Sequence, residues 1–440
     1  MKRVRVPSVV AIPLLVLFLS SIAPGYSVLT HEAVIDSSWE PNIRRLLLAR
    51  FPTATQEQLR EAHAYAYGGS VIQDMGYYPF GSHFFSDLAH YVRSGDFIQA
   101  LLEDSQDLNE YAFALGALEH YIADNEGHPL AVNRAVPIVY PELGAKYGKV
   151  VTYAQDPKAH LLVEFSFDVV QIAGSGYLPE TYHDFIGFKV AKPLLDRAFQ
   201  KTYGLELKDL FVSEDLAIGT YRRGASEVIP EMTKIAWQKR RNEIKALRPG
   251  IRRARFIYKL SRRDYETDWG GNYKNPKASI KRWGEQVSNP GFFAKLLVFL
   301  YRIFPKVGRF RTLSFRLPTP HTQALFTESV KAAVVSYQDL LGNVQRGHLR
   351  LANEDFDTGK PTRAGEYELA DETYAKLLDR LARKNFTGVT PELRTNILAF
   401  YSDLSLPIAT KKDRDLWEKT LRNLDKLKAA PIQTAQSEQP

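Results

Sequence analysis

Cysteine is missing from all 440 residues. Its absence excludes a disulfide framework and a thiolate metal site, and it leaves no thiol near the start of the chain for a lipid anchor. Any metal must therefore be held by histidine, carboxylates or the backbone. Sustained apolar–polar alternation is also scarce, which argues against a sheet-built fold, and no internal repeat is visible. The apolar run from Val9 to Ile22 is too short and wrongly flanked for a comfortable membrane span, with an uncleaved anchor as the alternative to cleavage.

That run does have the parts of a secretory signal. Lys2, Arg3 and Arg5 precede it, and the small-residue exit Ala23-Pro24-Gly25 follows. The expected signal peptide is 1–25, with Tyr26 as the mature N-terminus and a secreted or periplasmic destination. The formal net charge of +8 falls to +5 without the three leader cations. This mild excess points weakly to anionic partners such as phosphate-bearing lipids or nucleic acid. With 45% hydrophobic and 25% charged residues, the composition is globular and can bury a substantial core.

Apolar residues recur at helical spacing, as in Ile43, Leu46 and Leu47 or Leu59, Ala62, Tyr65 and Ala66. The predicted fold is mainly α. Stretches such as "MGYYPFGS", "NEGHP" and "WGGNYKNPKAS" punctuate it as loops. Beyond Pro249 the texture changes, beginning with the basic "RPGIRRARFIYKLSRRD". The expected organisation is a catalytic domain over 26–249, a mostly helical C-terminal region over 250–425, and a disordered polar tail over 426–440.

Eight of the ten histidines lie between His31 and His183. In "LEHYIADNEGHPLAVN", His120, Asp124 and His128 stand four apart. Each such step on an α-helix turns only about 40°, so His120 and Asp124 share a face, while "EGHP" places His128 at or just past the helix end. A second pair of this spacing, His160 and Glu164, sits in "KAHLLVEFSFD". Upstream, "GGSVIQDMGYYPFGSHFFSDLAHYV" supplies Asp74, His83 and His90. In "YSVLTHEAV", His31 falls five residues after Tyr26. A free amino terminus and its own carbonyl can chelate a metal, so signal cleavage could itself build a ligand next to His31.

These motifs, in this order, resemble the bacterial zinc-dependent phospholipase C enzymes and the related fungal single-strand-specific nucleases. The resemblance covers about residues 26 to 230 and implies a mainly helical catalytic domain with up to three Zn²⁺ ions. It implies one zinc held by Asp74, His83, His120 and Asp124, with His90 as the alternative to His83 if the register differs. A second zinc would take the amino and carbonyl groups of Tyr26, with His31 and a bridging Asp124. A third would take His128, His160 and Glu164. The chain departs from the family in two places. Tyr26 replaces the usual terminal tryptophan, a mild change because the ligand atoms are backbone, and His128 comes sooner after the helix histidine than the family's counterpart. The implied chemistry is phosphoester hydrolysis, for which clustered zinc activates water and neutralises phosphoryl oxygens, with Asp74 as ligand and proton acceptor.

The resemblance favours a phospholipid substrate over the nuclease alternative. Tyr77, Tyr78, Phe84 and Phe85 do not separate the two, since aromatics stack on bases or cradle a headgroup. A third alternative is a non-catalytic, metal-stabilised binding protein. The basic, aromatic stretch 291–315 either contacts a membrane surface or docks its apolar face on the catalytic domain. Asp87 is expected to cap or solvate a helix. His63 and His183 are read as structural or exposed, and His321 and His348 lie outside the site.

Overall fold

The structure, a computed structural model, describes residues 28–78, 80–168, 187–223, 229–247, 249–256 and 316–431. The expected signal peptide, Tyr26, His183, the stretch 291–315 and the end of the expected tail lie outside the described residues. The described chain is mainly α, as the periodicity predicts. Its only regular β-structure is a two-stranded antiparallel ladder pairing β1 (Glu354–Asp355) with β2 (Lys360–Pro361).

Six helices frame the site. They are α1 (Val28–Ser38), α2 (Gln56–Gly69), α3 (His83–Tyr91), α4 (Leu108–Gly127), α5 (Pro157–Phe167) and α6 (Pro320–Gln345). The Thr55 hydroxyl caps α2 in a reciprocal box with Gln58. The Asp107 carboxylate caps α4, accepting from the Asn109 and Glu110 amides at 2.9 and 2.8 Å. Both α1 and α4 are buried around most of their circumference, so α4 runs through the centre of the molecule.

The α2–α4 contact depends on glycine. A Cβ on Gly69 would come within 2.0 Å of the Phe113 carbonyl, and one on Gly116 within 2.0 Å of the Ala66 carbonyl. Only side chains of zero size allow backbones this close. As a result, the Ser70 carbonyl just past α2 reaches a side chain on α4.

The change of sequence texture near Pro249 does not divide the core. Residues beyond 316 join the same apolar cluster as the earlier helices, with Tyr337, Phe356 and Leu377 packed into it alongside Phe85 and Leu115. Helix α6 lies along α4, where the Tyr337 hydroxyl donates to the Leu115 carbonyl at 2.9 Å. The last helix, Arg414–Ala429, continues into the stretch expected to be tail. Its apolar face closes with fully buried Leu427, which holds the chain helical past 425. No helix among the described residues is long and apolar enough to cross a membrane.

Candidate metal centre

Four elements converge on α4. It carries His120 and Asp124 one turn apart, then widens into a π-helical turn, His128–Val132. Pro129 has no N–H to return to the preceding turn, which suits such a widening, and distortions of this kind recur at functional sites. Helix α1 brings His31 and a 3-10 turn, Ile72–Tyr77, brings Asp74. Helix α3 brings His90, while α5 brings His160 and Glu164. All eight side chains are buried.

Asp124 is the hub. Its Oδ1 faces His31 Nε2 at 3.5 Å and His128 Nε2 at 3.9 Å. Its Oδ2 faces His120 Nε2 at 3.2 Å and His90 Nε2 at 3.6 Å. Asp74 Oδ1 lies 3.3 Å from His90 Nε2, and Glu164 Oε1 lies 2.7 Å from His160 Nε2 and 3.3 Å from His128 Nε2. Three groups of donor atoms result, each within 4.8 Å: His31, His120 and Asp124; Asp74, His90 and His120; His128, His160 and Glu164.

The far side of each ring explains why these atoms suit a cation. His120 Nδ1 donates to the Ser70 carbonyl at 3.0 Å, His90 Nδ1 to the Ser86 carbonyl at 2.7 Å, and His128 Nδ1 to the Phe356 carbonyl at 3.1 Å. A carbonyl can only accept, so these Nδ1 atoms carry hydrogen and the neutral rings turn Nε2 lone pairs inward. Those lone pairs meet carboxylate oxygens. Both oxygens of Asp124 and of Glu164 are buried without a hydrogen-bond partner among the described residues. Lone pairs facing lone pairs repel unless a cation stands between them, so the donor set fits metal ions. Imidazole nitrogens and carboxylate oxygens suit zinc, and they also suit manganese or iron.

Where no metal is bound, a proton can take the cation's place on these groups. Burial alone would lower the His90 pKa, but Asp124 and Asp74 pull it up to about 10. Burial and the neighbouring His120 hold His31 well below its ordinary value. Against its own burial, His120 and His128 draw Asp124 well below the usual carboxylate range. Burial pushes Glu164 up to about 8, with His128 opposing. Perturbed groups cluster at functional sites, and structural ion-pair networks shift pKa values as well, so the geometry carries the argument.

The expectation for His83 is corrected. It is exposed at the first residue of α3, while His90 stands with Asp74 and His120. Seven residues are nearly two full turns, so both histidines face one side of α3, but about 10 Å of helix rise separates them. The Tyr77 ring sits between, 5.5 Å from that of His83 and 5.9 Å from that of His90. Asp87 is half-buried on α3, and burial pushes its carboxyl up to about 6. His63 lies apart from the centre, stacked on Trp39 at 3.8 Å and bonded to Asp36 at 3.1 Å.

Sequence reasoning missed the supporting carboxylates. Glu119 is fully buried and takes the His31 Nδ1 contact at 3.1 Å, fixing a ring whose other nitrogen faces Asp124. It adjoins His120 in the sequence, but a glutamate beside a helical histidine carries no distinguishing pattern. Asp168, one turn beyond Glu164, accepts from the amides of Leu29 and Thr30 at 2.9 and 3.1 Å, tying the start of α1 to α5.

Comparison with curated proteins and with solved structures finds no match. A family model described as zinc dependent phospholipase C matches residues 30–211, a span that contains every residue of the three donor groups. It is the family that the order and spacing of the sequence motifs resemble.

Proposed function

We propose that the chain is a secreted zinc-dependent phosphoester hydrolase acting on phospholipids. The observation that carries this reading is the buried hub Asp124, whose two oxygens face four inward-turned histidine nitrogens. In this reading Asp74, His90, His120 and Asp124 hold one ion. His31 and Asp124 hold a second, with the amino and carbonyl groups of Tyr26. His128, His160 and Glu164 hold a third. Bound zinc supplies Lewis acidity toward water and toward the non-bridging oxygens of the phosphate.

The protein's own groups do the rest. Glu119 and the Ser70, Ser86 and Phe356 carbonyls hold the outward Nδ1 of each ring and so fix the orientation in which Nε2 faces the metal positions. Asp74, at the edge of the cluster with Oδ1 3.3 Å from His90 Nε2, accepts the proton released by the attacking water. Burial of the hub lowers the local dielectric and strengthens every charge interaction there. The tie from Asp168 to Leu29 and Thr30 anchors the start of the helix that carries His31. The leader pattern supports export.

The test uses exported protein and phosphatidylcholine vesicles. The expected result is release of diacylglycerol and phosphorylated headgroup, stopped by a chelator and restored by added zinc. Cleavage of single-stranded DNA without lipid hydrolysis would replace this reading with the nuclease. Full zinc loading with hydrolysis of neither would leave a binding protein.

A further inference from the structure

The family match ends at 211, yet the donor groups are braced by a segment far beyond it. The turn between β1 and β2 wedges against the centre. The Phe356 ring packs 5.2 Å from that of His90 and 6.0 Å from that of His120. Its amide donates to the His90 carbonyl at 3.2 Å, and its carbonyl accepts from His128 Nδ1 at 3.1 Å. The next residue, Asp357, is 1% exposed. Its Oδ2 accepts from the Tyr153 amide at 2.9 Å and from the Tyr367 hydroxyl. Its Oδ1 has no hydrogen-bond partner among the described residues and lies 3.8 Å from His128 Nδ1.

A buried carboxylate oxygen without a partner is costly unless something nearby answers its charge. The group it faces is the outward nitrogen of a ring whose inward nitrogen points at Glu164 and Asp124. We infer that Asp357 is a positioning residue for His128, so that the C-terminal region completes the outer support of the His128, His160 and Glu164 metal position. This rests on the metal reading above. The Phe356 carbonyl fixes the ring's tautomer. The Asp357 carboxylate stabilises the Nδ1–H as a bound cation polarises the ring, and Tyr153 and Tyr367 hold that carboxylate in place.

The test is a zinc titration of the full chain against a competing chelator, for the native protein and for Asp357→Asn and Asp357→Glu. Loss of an outer partner to a metal-bound histidine typically costs about 10–100-fold in metal affinity. The expected result is a drop of that size for a single zinc in Asp357→Asn, with the other ions unchanged, and partial recovery in Asp357→Glu, which restores the charge. Tyr367→Phe, which releases Asp357 without removing it, should weaken the same zinc to a smaller extent. Native affinity for every ion in Asp357→Asn, or a uniform weakening of all ions that tracks thermal stability, would overturn the inference. A native chain that takes up no zinc would instead overturn the metal reading itself.

Discussion

Asp124→Ala protein should retain at most the one zinc held by His128, His160 and Glu164 and should lose its hydrolytic activity. The reasoning starts from geometry. Among the described residues, Asp124 is the carboxylate placed to serve more than one ion from both oxygens, with His31 and His128 on one side and His120 and His90 on the other. Removing it deletes the bridge and leaves those rings turned toward each other around a void. His120 Nε2 already lies 3.4 Å from His90 Nε2, so without the carboxylate the two rings can share one proton in an N–H···N contact, which blocks both nitrogens from a metal. The activity loss should exceed the roughly 10–100-fold typical of losing an outer partner, because a direct ligand is gone. Asp124→Asn keeps the shape but not the charge and should fall between the two. Elemental analysis beside hydrolysis rates reads both effects. A variant with full zinc content and native rates would show that Asp124 is only a satisfied helix residue.

Replacing His90 by alanine should remove the zinc held with Asp74 and His120, whereas His83→Ala should leave zinc content unchanged. His90 is buried with Nε2 against both Asp74 and Asp124, but His83 is exposed and touches the cluster only through the Tyr77 ring. Exposed substitutions away from special features usually stay within about 0.5 kcal/mol in stability, so His83→Ala should also fold normally. Zinc loss in His83→Ala with retention in His90→Ala would reverse the assignment.

This pair also shows where sequence reading stops. The spacings of four that join His120 to Asp124 and His160 to Glu164 follow from helix pitch, and the structure puts both pairs in the centre. The choice between His83 and His90 does not follow from pitch, because both face the same side of α3. Only the position of the Asp74 turn along that helix decides it. His128 was legible because it falls one turn after Asp124 at a Gly-Pro break. Glu119 was not, because nothing in a sequence shows which buried helix residue backs a histidine from another helix. Phe356 and Asp357 lie more than 220 residues beyond His128, as the separation across their contact records, and no local pattern spans such a distance. The mainly α fold was legible from periodicity. The sharing of one core across the texture change at Pro249 was not, because composition records surface character as much as packing.

The most direct test of the central claim is the zinc content per chain of exported protein whose N-terminus is verified as Tyr26, measured beside the unprocessed chain. The proposed ligand sets predict three zinc ions in the processed protein and fewer when the leader remains, because two of the donor groups share His120 and the second ion needs the new chain end. One ion or none, whether or not the leader is removed, would contradict a zinc centre built around Asp124.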